Sequence, residues 1–136
     1  MKRFAALALT AALCLAVAGC QNPRATAPPS QAMVSAADAG QSVTLAVGGT
    51  LTVALPANPS TGYSWVPTNT PEFLVEQGQP SFETTGAPAN VGADGTEVIL
   101  FKAVGAGSGT LALDYLRPWE TSSTPAKRYT VKVEAQ

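Results

Sequence analysis

From Gln41 onward, apolar and polar residues alternate along most of the chain. A period of two is that of a β-strand, whose successive side chains point to opposite faces. In TLTVAL, Leu51, Val53 and Leu55 fall on one side. GTLALDYL sets Leu111, Leu113 and Tyr115 against Thr110, Ala112 and Asp114. RYTVKVE sets Tyr129, Val131 and Val133 against Arg128, Thr130, Lys132 and Glu134, the pattern of a half-buried strand. TEVILFKAV, residues 96–104, is apolar on both faces, as a central strand buried on both sides can be. VTLAV precedes TLTVAL, and Gly48 and Gly49 between them predict a hairpin. A third short strand starts near Tyr63, and SFETT is a further one. EFLVEQ fits either a fourth strand or a helical turn, and its period does not separate the two.

Seven or eight short strands spaced by Gly, Pro and Asn turns predict an all-β fold, an antiparallel β-sandwich. No continuous helical period and no internal repeat is present. GAGSG, with Gly105, Gly107 and Gly109, is a turn; with no helix after it, it is not a phosphate loop. Successive strands run back and forth, so every second connection falls at the same end. The long or unusual connections, 56–62, 86–95 and 117–126, are therefore expected to cluster at one pole, as binding loops do.

The first forty residues follow a different pattern. Lys2 and Arg3 precede an apolar run at 4–17, which is shorter than the roughly 20 residues of a bilayer span but suits a signal-peptide core. It ends in VAGC, small residues directly before Cys20, which resembles a bacterial lipobox. The resemblance implies a lipoprotein signal peptide at 1–19, cleavage before Cys20 and acylation of that cysteine. With Gln21 rather than Asp following, it implies anchoring in the outer membrane, facing the periplasm. The alternative is a signal peptide cut slightly later, with Cys20 an ordinary small residue. The Pro-, Ala-, Ser-, Thr- and Gln-rich stretch that follows has little to bury, so 20–40 is expected to be the lipidated cysteine and a flexible tether. One domain, 41–136, remains.

Composition narrows the chemistry. Eight Lys and Arg stand against nine Asp and Glu, and loss of Lys2 and Arg3 leaves six basic residues and a net charge near −3. There is no basic stripe for nucleic acid. The chain has no histidine, and Cys14 would leave with the leader. A Ser–His–Asp or Cys–His arrangement is thus impossible, the usual zinc or copper ligands are missing, and no disulfide can form. No cofactor or metal is expected. The carboxylates are scattered; two that met in space would make a glycosidase-like pair, whereas singly they are solvated surface charge. The balance points away from an enzyme.

The loops carry the remaining signal. In ANPSTGYSW, Asn58 and Pro59 favour a turn and Gly62 permits a backbone conformation closed to other residues. Trp65 suits core packing, while an exposed Thr61 at a loop tip would stabilise little. In YLRPWE, Arg117, Pro118 and Trp119 put a cation, a rigid bend and a large side chain at a strand end, a combination that suits an interface or a core contact. GAPANVGADG fits a plain linker or a contact loop equally well.

NPSTGYSW, VGADG and YLRPW, in this order and spacing, resemble the three loop motifs of the chagasin-type inhibitors of papain-like cysteine peptidases. The similarity spans the folded region from about Gln41 to Val133. It implies an immunoglobulin-like antiparallel β-sandwich that reversibly blocks the peptidase cleft with three loops from one pole. Asn58, Pro59, Ser60, Thr61, Gly62 and Tyr63 would form the central wedge, with Thr61 against the catalytic Cys and His of the target. Arg117, Pro118 and Trp119 would contact the primed side, Trp119 stacking on an aromatic of the enzyme. Gly92, Ala93, Asp94 and Gly95 would reach the other side. Ser60 stands where the family pattern has Thr, and Asp94 where it has Gly. The first change keeps a hydroxyl; the second changes the third contact or the peptidases tolerated. A monomer is expected. The alternative is an envelope lipoprotein that uses the same pole as an interaction or assembly module.

Overall fold

The alternating runs become strands whose apolar faces close on one another. The computed structural model describes residues 26–84, 94–120 and 124–136. The leader, Cys20, Gly92 and Ala93 lie outside the described residues. Nine strands are described: β1 (Gln31–Ser35), β2 (Ser42–Leu45), β3 (Thr50–Ala57), β4 (Ser64–Asn69), β5 (Leu74–Glu76), β6 (Ser81–Thr84), β7 (Gly95–Ala103), β8 (Gly107–Leu116) and β9 (Lys127–Ala135). One sheet runs β1-β3-β7-β5 with β6 also beside β7; the other runs β2-β9-β8-β4.

The core is what the period of two specifies. Leu51, Val53 and Leu55 of β3 and Ile99 and Phe101 of β7 meet Leu111 and Leu113 of β8 and Val131 and Val133 of β9, all fully buried. Each such side chain stabilises the fold by about 1.5–3 kcal/mol relative to leaving it in water. No cysteine lies among the described residues, so this packing works without a disulfide. Asp114 faces away from the core on β8 yet is buried. The guanidinium of Arg128, its register partner on β9, donates to both carboxylate oxygens at 2.7 and 2.9 Å and holds the carboxyl below the usual carboxylate range.

The structure departs from the sequence pattern in four places. VTLAV and TLTVAL do not form a hairpin: β2 pairs in parallel with β9, while β3 pairs with β1 and β7 in the opposite sheet. Each run has one apolar face, and the sandwich buries both faces by sending the runs to different layers. The crossing at 46–49 is fixed by long-range bonds, Ala46 N–H to Pro29 O at 2.8 Å and Gly48 N–H to Ala103 O at 2.7 Å. The folded unit also begins at Gln31 rather than Gln41, because Gln31–Ser35 pairs with β3 from Thr50 to Ala54 and buries Val34. Two inward positions, Ala32 and Val34, among Gln, Met and Ser are too few to read as a period. TEVILFKAV buries one face only, for Val98 and Leu100 point outward and Leu100 is 39% exposed. Finally, β1 with β3 and β2 with β9 are parallel, and the other pairs are antiparallel. EFLVEQ resolves as the short strand β5, with Leu74 inward.

Register places the loops. Ala57 at the end of β3 faces Gly95 at the start of β7. Ser64 at the start of β4 faces Leu116 at the end of β8, and Tyr115 faces Lys127 at the start of β9. The connections after β3, before β7 and after β8 therefore leave from one pole, as expected, although alternation is broken once, since β5 and β6 both run antiparallel to β7.

The crossing makes a testable demand. A Cβ at Gly49 would lie 2.7 Å from Ser30 O and 2.8 Å from Ala46 O, both backbone atoms, whereas a Cβ at Gly105 meets nothing within 4 Å. Gly49→Ala should cost about 1–3 kcal/mol in urea unfolding. Gly105→Ala should be neutral or stabilise by up to about 1 kcal/mol.

Candidate functional site

The pole is built on a tight turn. Asn58 has an extended backbone (φ −131°), Pro59 follows it, and residues 59–61 make one 3-10 turn. Asn58 Oδ1 accepts from Ser60 N–H at 3.1 Å and from Ser60 Oγ at 2.5 Å, so the side chain caps the turn it begins. Thr61 Oγ1 donates to Asn58 O at 2.7 Å, and Gly62 N–H donates to Pro59 O at 3.1 Å. Gly62 closes the turn at φ +78°, a left-handed conformation that favours glycine. Pro59, Ser60 and Thr61 are exposed.

An aromatic stack holds this turn from beneath. The Tyr115 hydroxyl accepts from Asn58 N–H at 3.0 Å, tying β8 of one sheet to the loop that leaves β3 of the other. The Tyr115 ring lies between Tyr63 and Trp65, at centroid distances of 5.3 and 5.0 Å. The Arg117 guanidinium lies over the Tyr63 ring, 4.7 Å from its centroid. Trp65 is buried, with Nε1–H donating to Pro56 O at 3.0 Å and its backbone N–H to Glu97 Oε2 at 3.0 Å. Trp65 is thus core, as its position in the sequence suggests, and Tyr63 is the half-buried layer between core and loop.

The last loop locks onto the first. Arg117 Nε donates to Thr61 O at 3.2 Å, and its Nη1 pairs with Glu120 at 3.2 Å across a turn closed by Glu120 N–H to Arg117 O at 3.0 Å. Trp119 is 67% exposed, yet one edge of its indole covers Gly62 so closely that a Cβ there would come within 2.4 Å of Cη2. Gly62 is therefore required twice, by its backbone angle and by its neighbour. Asp94, from the middle motif, accepts from Asn58 Nδ2 at 3.0 Å. Gly95 is buried as the first residue of β7, where a Cβ would strike Glu83 O and the Phe82 ring, so it belongs to the sheet rather than to the exposed loop.

The structure thus brings Asn58, Pro59, Ser60, Thr61, Gly62, Tyr63, Asp94, Arg117, Pro118 and Trp119 to one pole. Pattern alone gave no role to Tyr115 beyond packing or to Glu97 beyond surface charge. Glu97 sits in the inward register of β7 and is buried beneath the turn, beside a cavity of about 140 Å³ that Pro59, Tyr63 and Phe82 also line. Burial pushes its carboxyl above the usual range, although the Trp65 N–H bond pulls the other way. Among the described residues no three His, Cys, Asp or Glu side chains converge as a metal site. What the pole offers is a stiff projecting edge of Pro59, Ser60, Thr61, Pro118 and Trp119.

Residues 44–133 match the model of the chagasin family peptidase inhibitor I42. Chagasin from Trypanosoma cruzi is 31% identical over 105 residues, covering 75% of this chain and 96% of that protein. Amoebiasin-1 from Entamoeba histolytica is 31% identical over 100 residues, covering 69% of this chain and 89% of its own length. The crystal structure of the cysteine protease inhibitor EhICP2 from Entamoeba histolytica superposes with a TM-score of 0.65 at 22% identity, over 79% of this chain and 99% of that one.

Glu97 gives the pole a pH signature. A carboxyl whose folded pKa is raised contributes stability that is complete below its unfolded pKa and is lost as pH rises through the folded value. Glu97→Gln keeps an acceptor for the Trp65 N–H and removes the charge. Its Tm should equal the parent's near pH 4 and exceed it by a few degrees near pH 8, read by calorimetry across pH.

Proposed function

The chain belongs to the chagasin family of peptidase inhibitors; it is an inhibitor and not an enzyme, and we propose that it acts on papain-like cysteine peptidases by filling their active-site cleft with loops from one pole. The observation that carries this is the interlocked turn at 58–62, exposed at its tip and braced by Tyr115 below and by Arg117 and Trp119 at its side. Thr61 enters the cleft against the catalytic Cys and His. Its hydroxyl proton is directed to Asn58 O and its oxygen accepts from Tyr63 N–H at 3.4 Å, which leaves one lone pair and the methyl group to the target. Arg117, Pro118 and Trp119 take the primed side, where the exposed indole supplies the aromatic anchor. Gly92 and Ala93 take the other side.

Inhibition by this geometry needs no chemistry from the inhibitor. The turn is held by bonds within itself and to the sandwich, so little conformational freedom is lost on binding. A standard interface buries about 1,600 Å² in total, and three loops at one pole can supply their half.

For location we propose the lipoprotein route, with the leader at 1–19 removed, Cys20 acylated and a monomer held at the outer membrane, facing the periplasm. Strand direction supports this arrangement. Gln31 pairs with Thr50, at the end of β3 away from the loops, about 23 Å from Ala57 at about 3.3 Å per residue. Pro29 O and Ser30 O are already bonded to Ala46 and Thr50, so a tether at 21–28 would join the sandwich at that far end and direct the anchor away from the loop pole.

Two measurements test these proposals. Protein beginning at Gln21, titrated against active papain with a fluorogenic peptide, should inhibit tightly and reversibly. Trp119→Ala should raise Ki by about 10–100-fold with Tm little changed. No inhibition of papain or a cathepsin L-type enzyme at micromolar concentration would reject the assignment and favour an envelope interaction module. Separately, the full chain expressed in a Gram-negative host should incorporate labelled palmitate and sediment with membranes, and Cys20→Ala should abolish both.

A further inference from the structure

Asn58 sits at the centre of the pole, and its amide has a defined orientation. Ser60 N–H can be accepted only by an oxygen, so Oδ1 points into the turn and the NH2 group points out of it. The NH2 group meets Asp94 Oδ1 at 3.0 Å. This meeting is set by the sheet. The β3/β7 ladder pairs Thr50 with Lys102 and ends with Ala57 opposite Gly95. Continued by one step, the same register brings residue 58 opposite residue 94. The acceptor is a side-chain oxygen, which an amide of the same size would also supply.

We propose that Asp94 is a positioning residue for the inhibitory turn: it clamps the Asn58 amide from the middle loop, so that Oδ1 stays on Ser60 and the 59–61 turn is preformed before a peptidase arrives. The proposal rests on the inhibitor assignment above and deepens it. The middle loop then braces the wedge as well as reaching the target. A cleft of about 250 Å³ beside the bond, lined by Pro56, Ala57, Tyr115 and Lys127, brings water close to it. An inhibitor whose binding-competent turn is populated for a fraction of the time loses affinity by that fraction, and the loss falls on association. Contacts made in the complex would instead appear in dissociation.

The test compares Asp94→Ala with Asp94→Asn in stopped-flow binding to active-site-titrated papain. Asp94→Ala should lower kon about 3–10-fold with koff nearly unchanged. Asp94→Asn retains an oxygen for Asn58 Nδ2 and should keep most of the parent kon. A raised koff with unchanged kon would make Asp94 a direct contact and overturn the proposal; an Asn variant as impaired as the Ala variant would overturn it in favour of charge. A second readout needs no peptidase. Amide exchange at Ser60 and of the Asn58 NH2 protons, followed by NMR, should quicken about 3–10-fold in Asp94→Ala and stay near the parent rate in Asp94→Asn. Unchanged exchange in both variants would reject the brace even if inhibition is confirmed. Quickened exchange with no inhibition by the parent would uphold the brace and reject the inhibitor assignment.

Discussion

The hydrogen bond between Tyr115 and Asn58 ties the loop pole to the sandwich. The Tyr115 hydroxyl, at the end of β8 in one sheet, accepts the backbone N–H of Asn58, the first residue to leave β3 in the other. The bond satisfies a backbone N–H one residue past the last pair of the β3/β7 ladder. The ring that carries the hydroxyl is itself fixed, between Tyr63 and the buried Trp65, and Trp65 is bonded to both Pro56 O and Glu97. Core, stack and turn therefore form one continuous structure. The stiffness of the exposed tip is inherited from the packing of the two sheets.

That continuity explains a division of labour among residues that stand together in the sequence. Of the nine residues in ANPSTGYSW, Ala57 and Trp65 belong to the core, Tyr63 is the layer above it, and Pro59, Ser60 and Thr61 project. Likewise in YLRPWE, Tyr115 supports, Arg117 spans from the Tyr63 ring to Thr61 O, and Trp119 covers Gly62 while most of its ring faces outward. An inhibitor of a hydrolytic enzyme needs this combination. Surface must be presented to a cleft while the backbone that presents it resists adjustment, since each freedom frozen on binding subtracts from affinity. The bond from Asn58 Nδ2 to Asp94, beside the turn, extends the same bracing to the residue that leads into β7.

Much of this was legible in the chain because it is encoded by local pattern. The inward sets of β3, β8 and β9 follow from alternation alone, since a strand has one face for each parity of position. The turn at 58–62 follows from Asn, Pro and Gly for stereochemical reasons. The common pole of the three loops is expected from alternation but is met only because β5 and β6 run in the same direction. Two short runs were not legible. The inward face of β1 amounts to Ala32 and Val34, too little to stand out within a Pro- and Ala-rich stretch. The apolar outer side of β7 suggested burial on both faces, whereas Leu100 is partly exposed on the sheet's surface.

What the sequence determined by itself was therefore the class of structure and the residues at its tips: strands from periodicity, turns from residues with restricted or unusual backbone angles, and a family from three motifs in order. What the tertiary structure decided was which elements are partners. Whether the Gly48–Gly49 link closes a hairpin or crosses between sheets depends on Ser42–Leu45 finding β9 and Thr50–Ala57 finding β1 and β7, pairings tens of residues apart that leave no mark in a local window. The roles of Tyr115, Glu97 and Asp94 are of the same kind. Their residue types permit a hydrogen bond, but only tertiary pairing puts a donor within 3.0 Å of each: the packing of two sheets for Tyr115 and Glu97, and the β3/β7 register for Asp94.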